Sequence, residues 1–215
     1  MSDKAQKISI ANRSLICGVG INDADYITTK QINGKIIRCP FYQKWRGMLT
    51  RCYDKKTKDR FPTYNGCSVV EEWLTFSNFK KWMESQNWQG KELDKDIIEP
   101  GNKIYSPKTC VFVDRYVNGL LVDSAGKRGK YPIGVYFQKD RRKFASRCNI
   151  KGKKELLGRF DTCEDAFLVY KKAKHDEILR VAGLQSDIKV IKGLHLHAKM
   201  ILEMENHDEK RSEKS

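Results

Sequence analysis

Residues 133–174 read IGVYFQKDRRKFASRCNIKGKKELLGRFDTCEDAFLVYKKAK, and the way they alternate decides the fold of this half of the chain. Segments 133–138, 143–150 and 154–160 alternate apolar and polar residues with period two, the pattern of strands covered on one face only. The intervening KDRR and KGK are short polar turns. After residue 160 the period changes to that of a helix, with Ala166, Phe167, Tyr170, Ala173 and Ile178 on one side. Thr162 stands at the N-cap of that helix and Asp165 three residues on, the spacing of a capping box. A three-stranded antiparallel sheet packed on one helix is therefore expected. Val135, Phe137, Phe144, Ser146, Cys148 and Leu157 are expected to face the helix, and Tyr136, Gln138, Arg147, Asn149, Lys154 and Leu156 to face outward.

Charge gives that outward face a meaning. The 215 residues include 42 Lys and Arg against 27 Asp and Glu, a net charge of +15. Between Lys127 and Lys154 there are 11 basic residues and a single Asp, a local +10. An excess of this size is useful against a polyanion, meaning nucleic acid or an anionic membrane. The membrane is disfavoured, because no apolar run approaches the length of a spanning helix and the first residues lack the apolar core of a signal peptide. An intracellular, cytoplasmic protein is expected. On the outward face Arg147 can pair with guanine, Gln138 and Asn149 with adenine, and flanking Arg141, Arg142 and Lys154 can hold phosphates.

The N-terminal half reads differently. The first forty residues are turn-rich, with bends at GVGINDADY and INGK between short apolar strands. Pro40 opens a helix carrying Tyr42, Trp45, Met48, Leu49 and Cys52 at helical spacing. DKKTKDRFPTYNGC reads as a loop, CSVV as a short strand, and EEWLTFSNFKKWMES as a second helix with Trp73, Phe76, Phe79 and Met83 on its apolar face. Seven cysteines occur without any C-x-x-C pair, which points to reduced, buried thiols; Cys39, Cys52 and Cys67 are candidates to meet around a metal. The GKRGK-containing stretch 122–132 reads as a linker, and KVIKGLHLHAKMILEME near the end as an amphipathic segment followed by a polar, disordered end.

Two resemblances add to these expectations. Gly134 and Val135, the KFAS at 143–146, the LG-R-FDT-C-EDA run from 157 to 166 and Tyr170 resemble the APETALA-type (ethylene-response-factor-like) DNA-binding domain over about fifty residues. That domain also occurs in phage and bacterial homing nucleases. The resemblance implies a sheet that reads DNA, with Tyr136, Gln138, Arg147, Asn149, Lys154 and Leu156 at its contact positions. Several of these positions hold Arg or Trp in the plant pattern, which implies a different target sequence or less specific reading.

Residues 92–118, ELDKDIIEPGNKIYSPKTCVFVDRYVN, resemble the HNH (His-Me finger) nuclease motif. Trp45, Met48, Arg51 and Cys52, with Glu72, Trp73, Phe76 and Phe79, extend a similarity to phage-encoded HNH-like endonucleases over nearly the whole chain. The finger's chemistry needs a carboxylate to hold a divalent metal, a His to take a proton from water, and an Asn to orient the His or bind metal. The resemblance places Asp94 at the metal ligand, Lys95 at the general base and Asn118 at the final Asn, with Mg2+ or Mn2+ held by Asp94 and Asn118. Asp96 and Asn102 add polar groups to the loop, and His195 or His197 could supply a missing base. An ordinary lysine remains protonated near neutral pH, with a pKa of about 10.4, so Lys95 departs from the motif where the chemistry is most demanding.

The expected architecture is α+β. It has an HNH-like finger domain with a helical N-terminal region (1–121), a linker (122–132), a DNA-binding domain (133–184) and a polar tail (185–215). Two functions follow. One is a metal-dependent, homing-type endonuclease that cuts or nicks double-stranded DNA, with Lys95 assisting. The other is a DNA-binding regulator or host-interfering protein on a degenerate finger. RNA binding would use the same basic surface, but Tyr136 is the single aromatic on the outward face to stack a base. No oligomeric state is signalled.

Overall fold

Pro40, whose fixed φ suits a first helical turn, opens α1 (Pro40–Tyr53). A computed structural model describes residues 13–122 and 130–205. The strands expected before residue 13, the central part of the linker and the polar end from 206 lie outside the described residues. The chain divides into two compact units, Met1–Val113 and Asp114–Ser215. Among the described residues there are six α-helices, three two-stranded sheets and one three-stranded antiparallel sheet. No helix among them is long and apolar enough to cross a membrane.

In the first unit, β1 (Thr29–Ile32) and β2 (Lys35–Arg38) form a hairpin. Its turn residues Asn33 and Gly34 both have positive φ, as a two-residue hairpin turn of this hand requires. α1 buries Tyr42, Trp45, Met48, Leu49 and Cys52, all five expected from their spacing. Asp54 then caps α2 (Lys55–Arg60), accepting from Thr57 N at 2.8 Å and Thr57 Oγ1 at 2.7 Å. The DKKTKDR stretch read as a loop is thus helical, because Asp54 with Thr57 three residues on is a cap signal. A 3-10 turn at Glu71–Leu74 leads into α3 (Phe76–Glu84), so EEWLTFSNFKKWMES is two short elements and not one helix. Trp45, Trp73, Phe76, Phe79 and Met83 are at most 1% exposed, and Trp45 Nε1 donates to the Trp73 carbonyl at 2.7 Å. Burial of side chains this large contributes roughly 1.5–3 kcal/mol each, so the aromatic stripe is core. β3 (Ser68–Val69) pairs in parallel with β5 (Ile104–Tyr105), and β4 (Glu92–Asp94) pairs antiparallel with β6 (Val111–Val113).

The second unit begins with α4 (Arg115–Leu120) and contains β7 (Val135–Gln138), β8 (Lys143–Ile150) and β9 (Lys153–Phe160) in the order β7-β8-β9. α5 (Cys163–Ala182) covers one face of this sheet, and α6 (Ile188–Glu203) packs on α5. Thr162 Oγ1 accepts from Asp165 N at 3.1 Å, the N-cap expected there, and donates to Asp165 Oδ2 at 2.7 Å in place of the backbone bond of a full capping box. Val135, Cys148, Ala166, Phe167 and Tyr170 form the core, with Phe144, Ile150, Leu157 and Phe160 packed against it. Gly134 has φ +81°, and a Cβ there would lie 2.1 Å from the Tyr170 ring, so glycine is required where the first strand meets the helix.

One carboxylate ties the second unit together. Glu177 on α5 is 3% exposed and accepts from Tyr116 of α4, from Lys151 N in the β8–β9 turn at 2.9 Å, and from Arg180 at 2.7 Å. These bonds tie α4 to α5 and the β8–β9 turn within the second unit. The Arg180 guanidinium, with Tyr116 and the Lys151 amide, pulls the Glu177 carboxyl down from 4.5 to about 2. A depressed carboxyl pKa stabilises the fold above the unfolded value and loses that contribution as pH falls through the folded value. Glu177→Gln is therefore expected to destabilise the protein by about 3 kcal/mol at pH 7. It should also flatten the loss of stability between pH 4.5 and 2, as followed by thermal denaturation across that range.

Candidate nucleic-acid interface and finger loop

The outer face of the three-stranded sheet follows from its register. Tyr136 pairs with Ala145, Gln138 with Lys143, Ala145 with Arg159, Arg147 with Leu156 and Asn149 with Lys154. Directly paired residues share a face, so the structure brings Tyr136, Gln138, Arg147, Asn149, Lys154 and Leu156 to one surface, as their alternation predicts. Arg147, Asn149, Lys154 and Leu156 are exposed. Lys143 and Arg159 join them. Arg159 was hidden from simple alternation because a bulge between Ser146 and Arg147 leaves Leu157 without a partner, reversing the phase of β9 at that point. Strict counting from Leu157 would have turned Arg159 toward the helix.

The polar side chains on this face are held in place by one another. The Arg147 guanidinium lies 4.8 Å from the centre of the Tyr136 ring. Arg159 Nε donates to Gln138 Oε1 at 2.7 Å, which fixes the Gln138 amide with its oxygen toward Arg159. Beneath them Ala145 is completely buried. Lys143 is paired with Asp161. Arg141 and Arg142 are exposed in the β7–β8 turn, where Arg142 adopts φ +50°. Glu155, the single acidic residue of the three strands, pairs with Cys148 and so has the opposite parity.

In the first unit, β4 ends at Asp94 and the chain returns through residues 95–110 to β6. Asp94 Oδ1 accepts from the backbone N–H groups of Asp96 and Ile97, both at 2.8 Å. Lys95 is 6% exposed, and its ammonium donates to Asp96 Oδ2 at 3.0 Å and to the Asn102 carbonyl at 2.7 Å. The Asn102 amide in turn donates to the carbonyls of Lys95 at 2.6 Å and Ile104 at 2.8 Å. Lys95 and Asn102 thus form a reciprocal clamp that closes the loop from inside. The ring of Tyr105 lies 6.0 Å from the ammonium, and Arg51 Nε donates to the Tyr105 hydroxyl at 2.9 Å. Burial, reinforced by the neighbouring Asp96 charge, pushes the Asp94 carboxyl up to about 6.

These atoms fit a resident divalent cation poorly. One oxygen of Asp94 is occupied by two amides, and the positive charge beside Asp96 is already supplied by Lys95. Among the described residues no three His, Cys, Asp or Glu side chains converge. Asn118 lies on α4, and His195 and His197 lie on α6. Thr109, at the motif's middle position, bonds to Ser106 and to the Ile104 carbonyl. Cys52 and Cys67 lie in one core and Cys39 packs against it, its thiol 3.6 Å from the Tyr26 hydroxyl, but among the described residues they form no metal-ligand group. Burial pushes the Cys52 and Cys110 thiols up to about 12, which makes both poor nucleophiles.

No family model, curated protein or solved structure matches this chain.

The finger loop makes its own prediction. A raised carboxyl pKa favours the fold below the unfolded value, 3.8, and that contribution is lost as pH rises through about 6. Asp94→Asn keeps the oxygen that accepts the two amides and removes the charge. It should leave stability unchanged or higher at pH 8 and flatten the decline between pH 4 and 6. Lys95→Met should destabilise by about 2 kcal/mol, since Asp96 and the Asn102 carbonyl lose a buried partner. Denaturant titrations of both variants at pH 4 and pH 8 check these outcomes.

Proposed function

We propose that this protein binds double-stranded DNA through the outer face of β7-β8-β9, with the finger loop serving as scaffold. The observation that carries this reading is the surface itself. Tyr136, Gln138, Lys143, Arg147, Asn149, Lys154 and Arg159 share one face of a sheet, and no acidic residue of the three strands has that parity. A DNA major groove is about 12 Å wide and admits β-strands laid along it. Arg147, held over Tyr136, presents a fork suited to guanine O6 and N7. Asn149 presents the donor and acceptor that adenine requires, and Gln138 presents amide donors. Arg141, Arg142 and Lys154 flank these groups and supply phosphate contacts. The Arg147–Tyr136 stack and the Arg159–Gln138 hydrogen bond preorganise the readers, which reduces the rotamer entropy lost on binding.

A second reading, a metal-dependent endonuclease of the HNH kind, is favoured by one observation. β4 and β6 pair antiparallel around a long loop, Asp94 ends the first strand, and a helix carrying Asn118 follows the second. The clamp at Lys95 weighs against it, because a buried ammonium bonded to Asp96 and Asn102 is committed to the loop.

Anisotropy titrations of a labelled duplex across a salt series test the first reading. Binding is expected with a log K against log salt slope of several units. Arg147→Ala and Asn149→Ala should each cost about 1–3 kcal/mol and relax sequence preference. Arg141→Ala should weaken all duplexes alike and lower the slope by about 1. Absence of duplex binding at low salt, or unchanged affinity in both reader variants, would overturn it. Supercoiled plasmid incubated with Mg2+, Mn2+ or EDTA decides the second reading. Nicking that needs metal and disappears in Asp94→Ala would establish the nuclease, and intact plasmid is expected if the finger is scaffold.

A further inference from the structure

A cavity of about 370 Å³ opens between α4, the tip of the β8–β9 hairpin and α5. Arg115 and Gly119 line it from α4, Asn149 and Gly152 from the hairpin, and Lys174 from α5. Asn149 is also one of the outward-facing readers, so the cavity adjoins the edge of the basic surface. Lys174 is partly buried, and its ammonium donates to the Leu120 carbonyl at 2.5 Å. Burial lowers its pKa, which records an ammonium held away from water. Among the described residues neither Arg115 nor Lys174 is in a salt bridge with a carboxylate. Glu177, whose charge also reaches Lys174, is already bonded to Arg180, Tyr116 and the Lys151 amide. Two cations therefore line one small space, and no carboxylate lines it.

The floor of the space is glycine. A Cβ added to Gly119 or Gly152 would meet no atom within 4 Å, so both positions are open, not packed. The Lys151–Gly152 turn has φ values of +50° and +80°, and its geometry is fixed by the Lys151 N–H bond to Glu177. The walls are thus set by the Glu177 network before any ligand arrives.

We propose that this cavity holds a backbone phosphate of the bound duplex, with Arg115 and Lys174 as its cationic partners and Asn149 at its rim. The assignment rests on the DNA-binding reading of the sheet and adds an anchor at one end of it. Arg115 offers a planar fork that matches phosphate oxygens, and Lys174 a point charge whose strength grows in a partly dehydrated site. Such a contact fixes the register of the sheet on the duplex without reading sequence.

Three variants of the full chain test it by anisotropy with duplex DNA. Arg115→Gln and Lys174→Met are expected to weaken binding about tenfold for every duplex sequence and to lower the salt slope by about 1 each. Gly119→Leu fills the cavity without changing charge, on a helical position where leucine is well tolerated. It is expected to keep the melting temperature and lose a similar factor in affinity. Inorganic phosphate at millimolar concentration should compete with DNA in the parent more than in Gly119→Leu, beyond a sulfate-free salt control of equal ionic strength. Parent-like affinity in Arg115→Gln and Gly119→Leu, while Arg147→Ala loses binding, would overturn the phosphate site and leave the DNA reading standing. A parent chain that binds no duplex would overturn both.

Discussion

The second unit depends on one buried carboxylate. Glu177 would be expensive to bury alone, since an unpaired charge in a low-dielectric site costs several kcal/mol. Here it receives hydrogen bonds from three parts of the chain: Tyr116 on α4, the amide of Lys151 in a hairpin turn, and Arg180 one turn along its own helix. The result is that α4, the far end of the sheet and α5 are fixed against one another by a single group. Apolar packing of Phe167, Tyr170 and Cys148 holds the near side of the sheet to the helix. The far end, beyond Cys148, has an exposed Asn149 and Lys151, with Ile150 between them packed against the core. Glu177 adds a polar tie there through the Lys151 amide.

Positive charge is handled in opposite ways in the two units. In the sheet, Arg147 and Arg159 are left at the surface, each oriented by a neighbour without being neutralised. In the finger loop the lysine is turned inward, where Asp96 and the Asn102 carbonyl receive it. A histidine at position 95 would have a shorter reach and at most two N–H donors. Lysine's long stem spans the loop and delivers its ammonium to both acceptors. Lysine at position 95 therefore has a structural use, which is closure of the loop between β4 and β6.

Much of this fold was legible because burial imposes periodicity. The helix at 40–53 and the two faces of the sheet could be read from spacing, and Thr162 with Asp165 announced the start of α5. Arg159 escaped because a bulge is a property of two strands together, invisible in either one. Asp54 escaped because a charged, loop-like stretch hid a cap whose partner, Thr57, lay three residues on. The role of Lys95 could not be read from sequence at all, since the same residue serves as an exposed phosphate ligand or a buried clamp according to its tertiary partners. Residues 114–121 were expected with the finger. They belong to the second unit because Tyr116 and the Leu120 carbonyl find their partners on α5.

On the proposed reading, nucleic acid meets the sheet and not the β4–β6 loop. Amide hydrogen exchange of the full chain with and without a duplex tests it most directly, because it reports both regions in one experiment. Protection concentrated in residues 135–160 and in 115–120, with 92–113 unchanged, is the result this account predicts. Protection confined to 92–113, with the sheet exchanging as it does in the free protein, would contradict it.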